Sequence, residues 1–516
     1  MDKEFLELQS TIDSFYGKFY ALNDKLLQRS EQELNDNENY NCIDIFDFYI
    51  SSHAMAHLKC LYMQDYYNSS IYLSARCILE GLALKKLCKQ SVVGTVKEKL
   101  LQKQVFLIEY QYYKEFGDIA DKILLPEKLK NDWQSACEFY REELKTSEYK
   151  NQIEQIIKSK IPFICQPYTN YRKIIGEMLG EEMASLYGIC SSLIHPSTND
   201  SYKEDSFKMV LPIIGLLELE YGYLSQSATT LSSDLRATES PIANRFYQIL
   251  IEEAEILFSV ADVFEQKFKN NYVSNTFRTI GYILPDLAID KQLGLTEQTK
   301  CKWKMIFELC ATFSHLYVKC FGEEQRFRLL DIHKQVQIQR NINTTENLDE
   351  CMSEAYQVYS TIYSNPCERN VFDTHFKKEL GYLIDEAGAV PSLTKIVVEF
   401  TKPYESDINN GVSIGRAMYL DYMESQMLSH SNGYMWFANS GAFSDTNNIF
   451  IGIDACIKRL MQEVYNIFDV HRKTERNNDY KSIINVLRNS VKKIEALNSE
   501  KIEILHLPMA KKWHVG

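Results

Sequence analysis

Arg76 and Glu80 stand four residues apart in Ala-Arg-Cys-Ile-Leu-Glu-Gly, and a later segment, Cys-Ser-Ser-Leu-Ile-His-Pro-Ser, carries His195. A guanidinium, a carboxylate and an imidazole are the groups that metal-independent cleavage of RNA needs. The imidazole moves a proton at the 2′-hydroxyl or the leaving oxygen, the guanidinium holds phosphate charge, and the carboxylate orients one of them. On a helix, residues four apart meet on one face. On a helical wheel over 71–89, Leu73, Leu79, Ala83, Leu84 and Leu87 cluster around the direction of Arg76, while Ser74, Lys85 and Lys89 mark the other side. The pair thus lies inside an apolar face. A buried ion pair is costly unless further hydrogen bonds complete it. It serves either a site or a structural link between helices, and both readings stay open here.

The segment leading to His195 has a stripe of small residues, Ala184, Gly188, Ser191 and Ser192, with Leu186, Ile189 and Leu193 opposite. Small side chains let another helix or a ligand approach the backbone. Pro196 disfavours helix at His195, which places the imidazole at a helix C-terminus. The macrodipole favours a cation there and raises its pKa, so His195 reads as a catalytic group or as a cap.

A similar order recurs later. Phe-Arg-Thr-Ile-Gly-Tyr-Ile holds Arg278, and Ser-Gln-Met-Leu-Ser-His-Ser-Asn holds His430. Ser191, Ser192, Arg278 and His430 are candidate binding residues, and Arg76, Glu80 and His195 the candidate catalytic set. A second set is Arg369, Asn370 and His375, with Arg328 and His333 at a related spacing. His53, His57 and Cys60 could line one helix face as metal ligands, but they lack the Glu of an HExxH site and any CxxC partner. Packing is the preferred reading, and no metal or other cofactor is expected.

The elements that must carry these residues are helical. Gly (20) and Pro (11) are scarce, and apolar residues recur mostly at spacings of three and four. A lead-in helix is expected within 1–45, then helices over roughly 46–66, 68–90, 93–118, 127–146, 148–160, 170–195 and 204–235. The second half restarts near 242–268 and 270–291, with further helices near 411–430, 449–475 and 479–499. Ser232, Ser233, Ser240 and Pro241 mark the best boundary. It divides the chain into a first module, 46–236, a second, divergent module with insertions, 241–475, and a basic helix and tail, 476–516. The shared order of motifs makes the two modules a tandem repeat.

A net charge of −13 gives no global field toward nucleic acid or an acidic membrane. Residues 471–516, with ten Lys/Arg against five Asp/Glu, form a local basic stretch including Arg472, Lys473, Arg476, Lys492, Lys493, Lys511 and Lys512. These could touch RNA phosphates or an acidic partner, or form a solvated helix face. The thirteen cysteines include no CxxC and read as small buried hydrophobes of a reducing compartment. With no signal peptide pattern and no apolar run long enough for a bilayer, the expectation is a cytoplasmic protein with no membrane association.

Arg76, Glu80, Ser191, His195 and Pro196 give the chain an Arg-x-x-x-Glu helix followed by a Ser-x-x-x-His-Pro segment. In this it resembles a family of HEPN-like all-helical proteins of unknown function. The resemblance covers about 50–235 and extends to the second half, where Tyr282 replaces Glu80 and Ser431 replaces Pro196, so that copy has lost a complete site. It implies an all-α fold of two HEPN-like helical bundles. HEPN-like proteins are often ribonucleases, toxins or antiviral defence components. The resemblance therefore implies RNA as a partner and metal-independent endoribonuclease activity. The alternative is a non-catalytic binding, sensor or scaffold protein acting with a protein partner or by self-association. Convergence of Arg76, Glu80 and His195 in an open cleft favours the enzyme; the same residues sealed between helices favour the scaffold.

Overall fold

The computed structural model describes residues 3–36, 41–62, 69–90, 96–115, 127–163, 170–194, 207–225, 231, 234, 241–268, 271–292, 294–320, 324–341, 347–378, 380–404, 408–409, 412–428, 447–475 and 478–506. Among them the regular structure is helical, apart from one antiparallel pair of two-residue strands, β1 (Ile408–Asn409) and β2 (Val412–Ser413). None of the described helices is long and apolar enough to cross a membrane.

The first half comprises α1 (Lys3–Asp36), α2 (Cys42–Tyr62), α3 (Ser69–Gln90), α4 (Lys97–Glu115), α5 (Glu127–Leu144), α6 (Ile153–Ile157), α7 (Tyr171–Leu179), α8 (Glu181–Ile194) and α9 (Phe207–Tyr221). The expected helix over 170–195 is two helices. Gly180 sits between them at φ 102°, where a side chain is strained, and its N–H closes α7 on Gly176 O. Asn170 caps the start of α7 by accepting from Lys173 N at 3.0 Å. The expected helix over 148–160 shrinks to α6, and that over 204–235 ends at Tyr221.

α3 is the hub of this half. α2, α7, α8 and α9 surround it. Its side opposite Arg76 is therefore buried as well, contrary to the two-sided wheel. Ser74 is enclosed, and Lys85 is buried between Asp47 and Glu220, each at 2.7 Å. A charged residue on a helix wheel marks solvent only when no neighbour supplies a counter-charge.

The second half comprises α10 (Pro241–Phe268), α11 (Asn271–Gln292), α12 (Thr296–Cys320), α13 (Glu324–Asn341), α14 (Leu348–Ile362), α15 (Arg369–Phe376), α16 (Leu393–Thr401), α17 (Ile414–Leu428), α18 (Asn447–Glu475) and α19 (Asn478–His506). Its hub is α12, every residue of which from Gln298 to Ser314 is buried. α11, α16, α17 and α18 pack around it. α13, α14 and α15 close over a smaller core of their own, built on Tyr359, Phe372 and Phe376.

The two halves share one continuous apolar core. Polar contacts join the halves across it: Ser70 Oγ donates to Asp290 at 2.9 Å, and His53 Nδ1 meets Gln298 Nε2 at 3.3 Å; within the second half Asp290 also pairs with Lys302 at 2.7 Å. The C-terminal helix α19, set apart in the sequence as a basic segment, is packed onto α10 and α18. Residues 235–240, where the module boundary was expected, lie outside the described residues.

Candidate functional site

Arg76 and Glu80 meet on α3 as their spacing dictates, Nε to Oε1 at 3.2 Å. They are 1% and 0% exposed, so no open cleft reaches them. α8 completes the cluster. Tyr187 donates its hydroxyl hydrogen to Glu80 Oε1 at 2.9 Å, and the Arg76 guanidinium carbon lies 5.6 Å from the Tyr187 ring centre. Burial pushes the Tyr187 phenol far up, which keeps it a donor. The small-residue stripe serves this contact: Ala184 and Gly188 flank Tyr187 on the buried face of α8. Sequence reasoning named the small residues and missed the large one between them, although the helical spacing from Ala184 to Ser191 passes through it.

His195 and Pro196 lie outside the described residues, as does the side chain of Ser192; Ser191 is half-buried. In the second half His430 is likewise outside, and Arg278 sits differently from Arg76. It is 24% exposed and bridges from α11 to Asp262 of α10 at 2.7 Å, with Glu265 beside it. Tyr282 packs on Phe258 with ring centres 5.0 Å apart.

The other sequence candidates are distributed through separate contacts. Arg369 holds Asp373 at 2.7 Å and lies over the Tyr356 ring, Asn370 is exposed, and His375 Nδ1 meets the Gly388 carbonyl. Six residues on a helix place Arg369 and His375 about 120° apart around the axis, and they engage different partners. Arg328 pairs with Glu354 at 2.6 Å, while His333 is buried against Lys378 O at 2.8 Å.

His53 and His57 are enclosed in the core, and burial pushes both imidazoles down to about 4. Cys60 is buried near them on α2, but no group of three His, Cys, Asp or Glu able to hold a metal assembles among the described residues. In the basic stretch, Arg472 and Lys473 both pair with Asp469, and Lys492 and Lys493 are exposed. Lys501 runs inward instead, to Glu253 and Asp454 at 2.7 Å each. Arg476, Lys511 and Lys512 lie outside the described residues.

A constellation that the sequence did not single out lines a cavity of about 170 Å³ between α12, α16 and α18. Ser314 Oγ donates to Glu463 Oε1 at 2.8 Å, and Arg459 Nε donates to the same oxygen at 2.8 Å. The Arg459 guanidinium is braced over Phe400, 4.3 Å from its ring centre. His315 Nδ1 lies 3.4 Å from Glu399 Oε2 at the rim. The only sequence signal was the Arg459–Glu463 spacing of four, which many surface pairs share.

No family model, curated protein or solved structure matches this chain.

Proposed function

We propose that this chain is a HEPN-related helical protein that works by binding, as a scaffold or sensor beside a partner effector, and that it does not cleave RNA with Arg76 and Glu80. The supporting observation is the sealing of the Arg76–Glu80–Tyr187 cluster between α3 and α8. A phosphate reaches that guanidinium only if helices part, and the guanidinium is already neutralised by Glu80. Such a cluster acts as a polar link that fixes how two helices meet. A reducing, cytoplasmic setting suits its buried thiols.

The test incubates the purified chain and its His195→Ala variant with mixed cellular RNA in excess EDTA. Neither is expected to cut. Cleavage by the wild type that the variant loses would overturn the binding reading and restore a metal-independent ribonuclease.

A further inference from the structure

From the cavity between α12, α16 and α18 we infer a binding site for a small zwitterion, a free α-amino acid with an apolar side chain. The inference goes beyond the proposed function and uses none of the Arg76 cluster.

The charge of the walls selects the class. Arg459 faces two carboxylates, Glu463 and Glu399, with His315 beside the second. A bare anion meets excess negative charge, and a bare cation meets Arg459. A ligand carrying both charges suits both groups.

Unmet hydrogen bonds select the arrangement. Arg459 Nη1 and Glu463 Oε2 are buried and have no hydrogen-bond partner among the described residues, although their neighbours Nε and Oε1 are paired with each other. Both residues line the cavity, and a donor and an acceptor left open on them call for an occupant. A ligand carboxylate accepts from Arg459 Nη1, and a ligand ammonium donates to Glu463 Oε2, with Glu399 adding negative charge nearby. Ser314 and Phe400 hold Glu463 and Arg459 in place before the ligand arrives.

Size and lining select the side chain. A volume of about 170 Å³ is on the order of six water volumes and falls below the span of larger ligand sites. It admits an amino acid and refuses a nucleotide. Ala311, Ile396 and the Phe400 ring supply the apolar wall.

The experiment titrates the full chain calorimetrically with each of the common free L-amino acids near neutral pH. At least one with an apolar side chain is expected to bind with a Kd below about 1 mM. Its carboxamide, which lacks the carboxylate charge, and its deaminated acid, which lacks the ammonium, are each expected to bind at least about tenfold more weakly. These comparisons use the wild-type protein, so a misfolded variant cannot mimic the result. Arg459→Gln and Glu463→Gln, checked for native circular dichroism, are expected to weaken binding by about tenfold or more. Failure of every amino acid to bind would overturn the inference, as would equal binding of the two analogues or undiminished binding by folded variants. RNA cleavage in the earlier test would overturn the proposed function and leave this titration standing.

Discussion

Tyr187 of α8 donates its hydroxyl hydrogen to Glu80 of α3 at 2.9 Å, joining residues 107 positions apart on the oxygen that also receives Arg76. Three groups thus share one buried point, and removing any one leaves the others short. Tyr187→Phe is expected to destabilise the fold by about 1–3 kcal/mol, the cost of a buried acceptor losing a donor. Arg76→Met alone strands the Glu80 charge and is expected to cost about 3–5 kcal/mol. The double variant Arg76→Met with Glu80→Leu is expected to recover most of that loss. Urea unfolding of the single and double variants checks it; strictly additive losses would contradict the coupling.

Acid is expected to loosen the protein through its enclosed histidines. Burial lowers His53, His57 and His333 from the ordinary 6.5 to about 4. The folded state therefore binds fewer protons than the unfolded chain. The resulting stabilisation is fully present above 6.5 and is lost as pH falls through about 4. Each histidine contributes a slope of at most about 1.4 kcal/mol per pH unit in that window. Urea midpoints across the window should fall for the wild type, and less steeply for His57→Leu.

At Gly81, α3 packs against Tyr49 and Ile50 of α2. A Cβ there would lie 2.6 Å from Ile50 Cγ1, in the middle of a packed side chain. Gly81→Ala is expected to cost about 1–3 kcal/mol through overpacking. A Cβ at Gly215 on α9 would have nothing within 4 Å, so Gly215→Ala is expected to be neutral or stabilising by up to about 1 kcal/mol. Thermal melts of the pair provide the comparison; equal shifts would contradict the packing argument.

Lys501 ties α19 to the rest of the second half. Burial works against its charge, but Asp454 and Glu253 hold its pKa above the ordinary lysine value. Lys501→Met would leave two carboxylates enclosed together, and is expected to cost about 3–5 kcal/mol. Limited proteolysis should then release α19 earlier than in the wild type. Unchanged protection would mean that apolar contacts alone hold the helix.

Much of the helical architecture was legible because the chain is poor in Gly and Pro and repeats its apolar residues at helical spacing. The meeting of Arg76 with Glu80 was legible for the same reason, since one helix fixes both. Tyr187 was not, because the distance between α3 and α8 in sequence carries no record of their packing. The break at Gly180 had a local signal, a glycine followed by Glu181 and Glu182, which suits a helix end and a new start. Nothing in the sequence marks Lys300 and Lys302 as buried. Each looks like a surface charge, yet Glu424 and Asp290, both at 2.7 Å, come from other helices and make burial tolerable. The cavity around Arg459 escaped for the same reason, since α12, α16 and α18 come together only in the fold.

The polar contacts that cross the shared core also set an order of events during synthesis. Ser70 on α3 and His53 on α2 emerge from the ribosome long before Asp290 and Gln298, their partners on α11 and α12. Until those helices follow, the nascent first half carries polar groups without their partners and an apolar face without its cover. Its final closure therefore waits on translation of the second half. A chain stalled near residue 240 would make a ready substrate for chaperones and proteases.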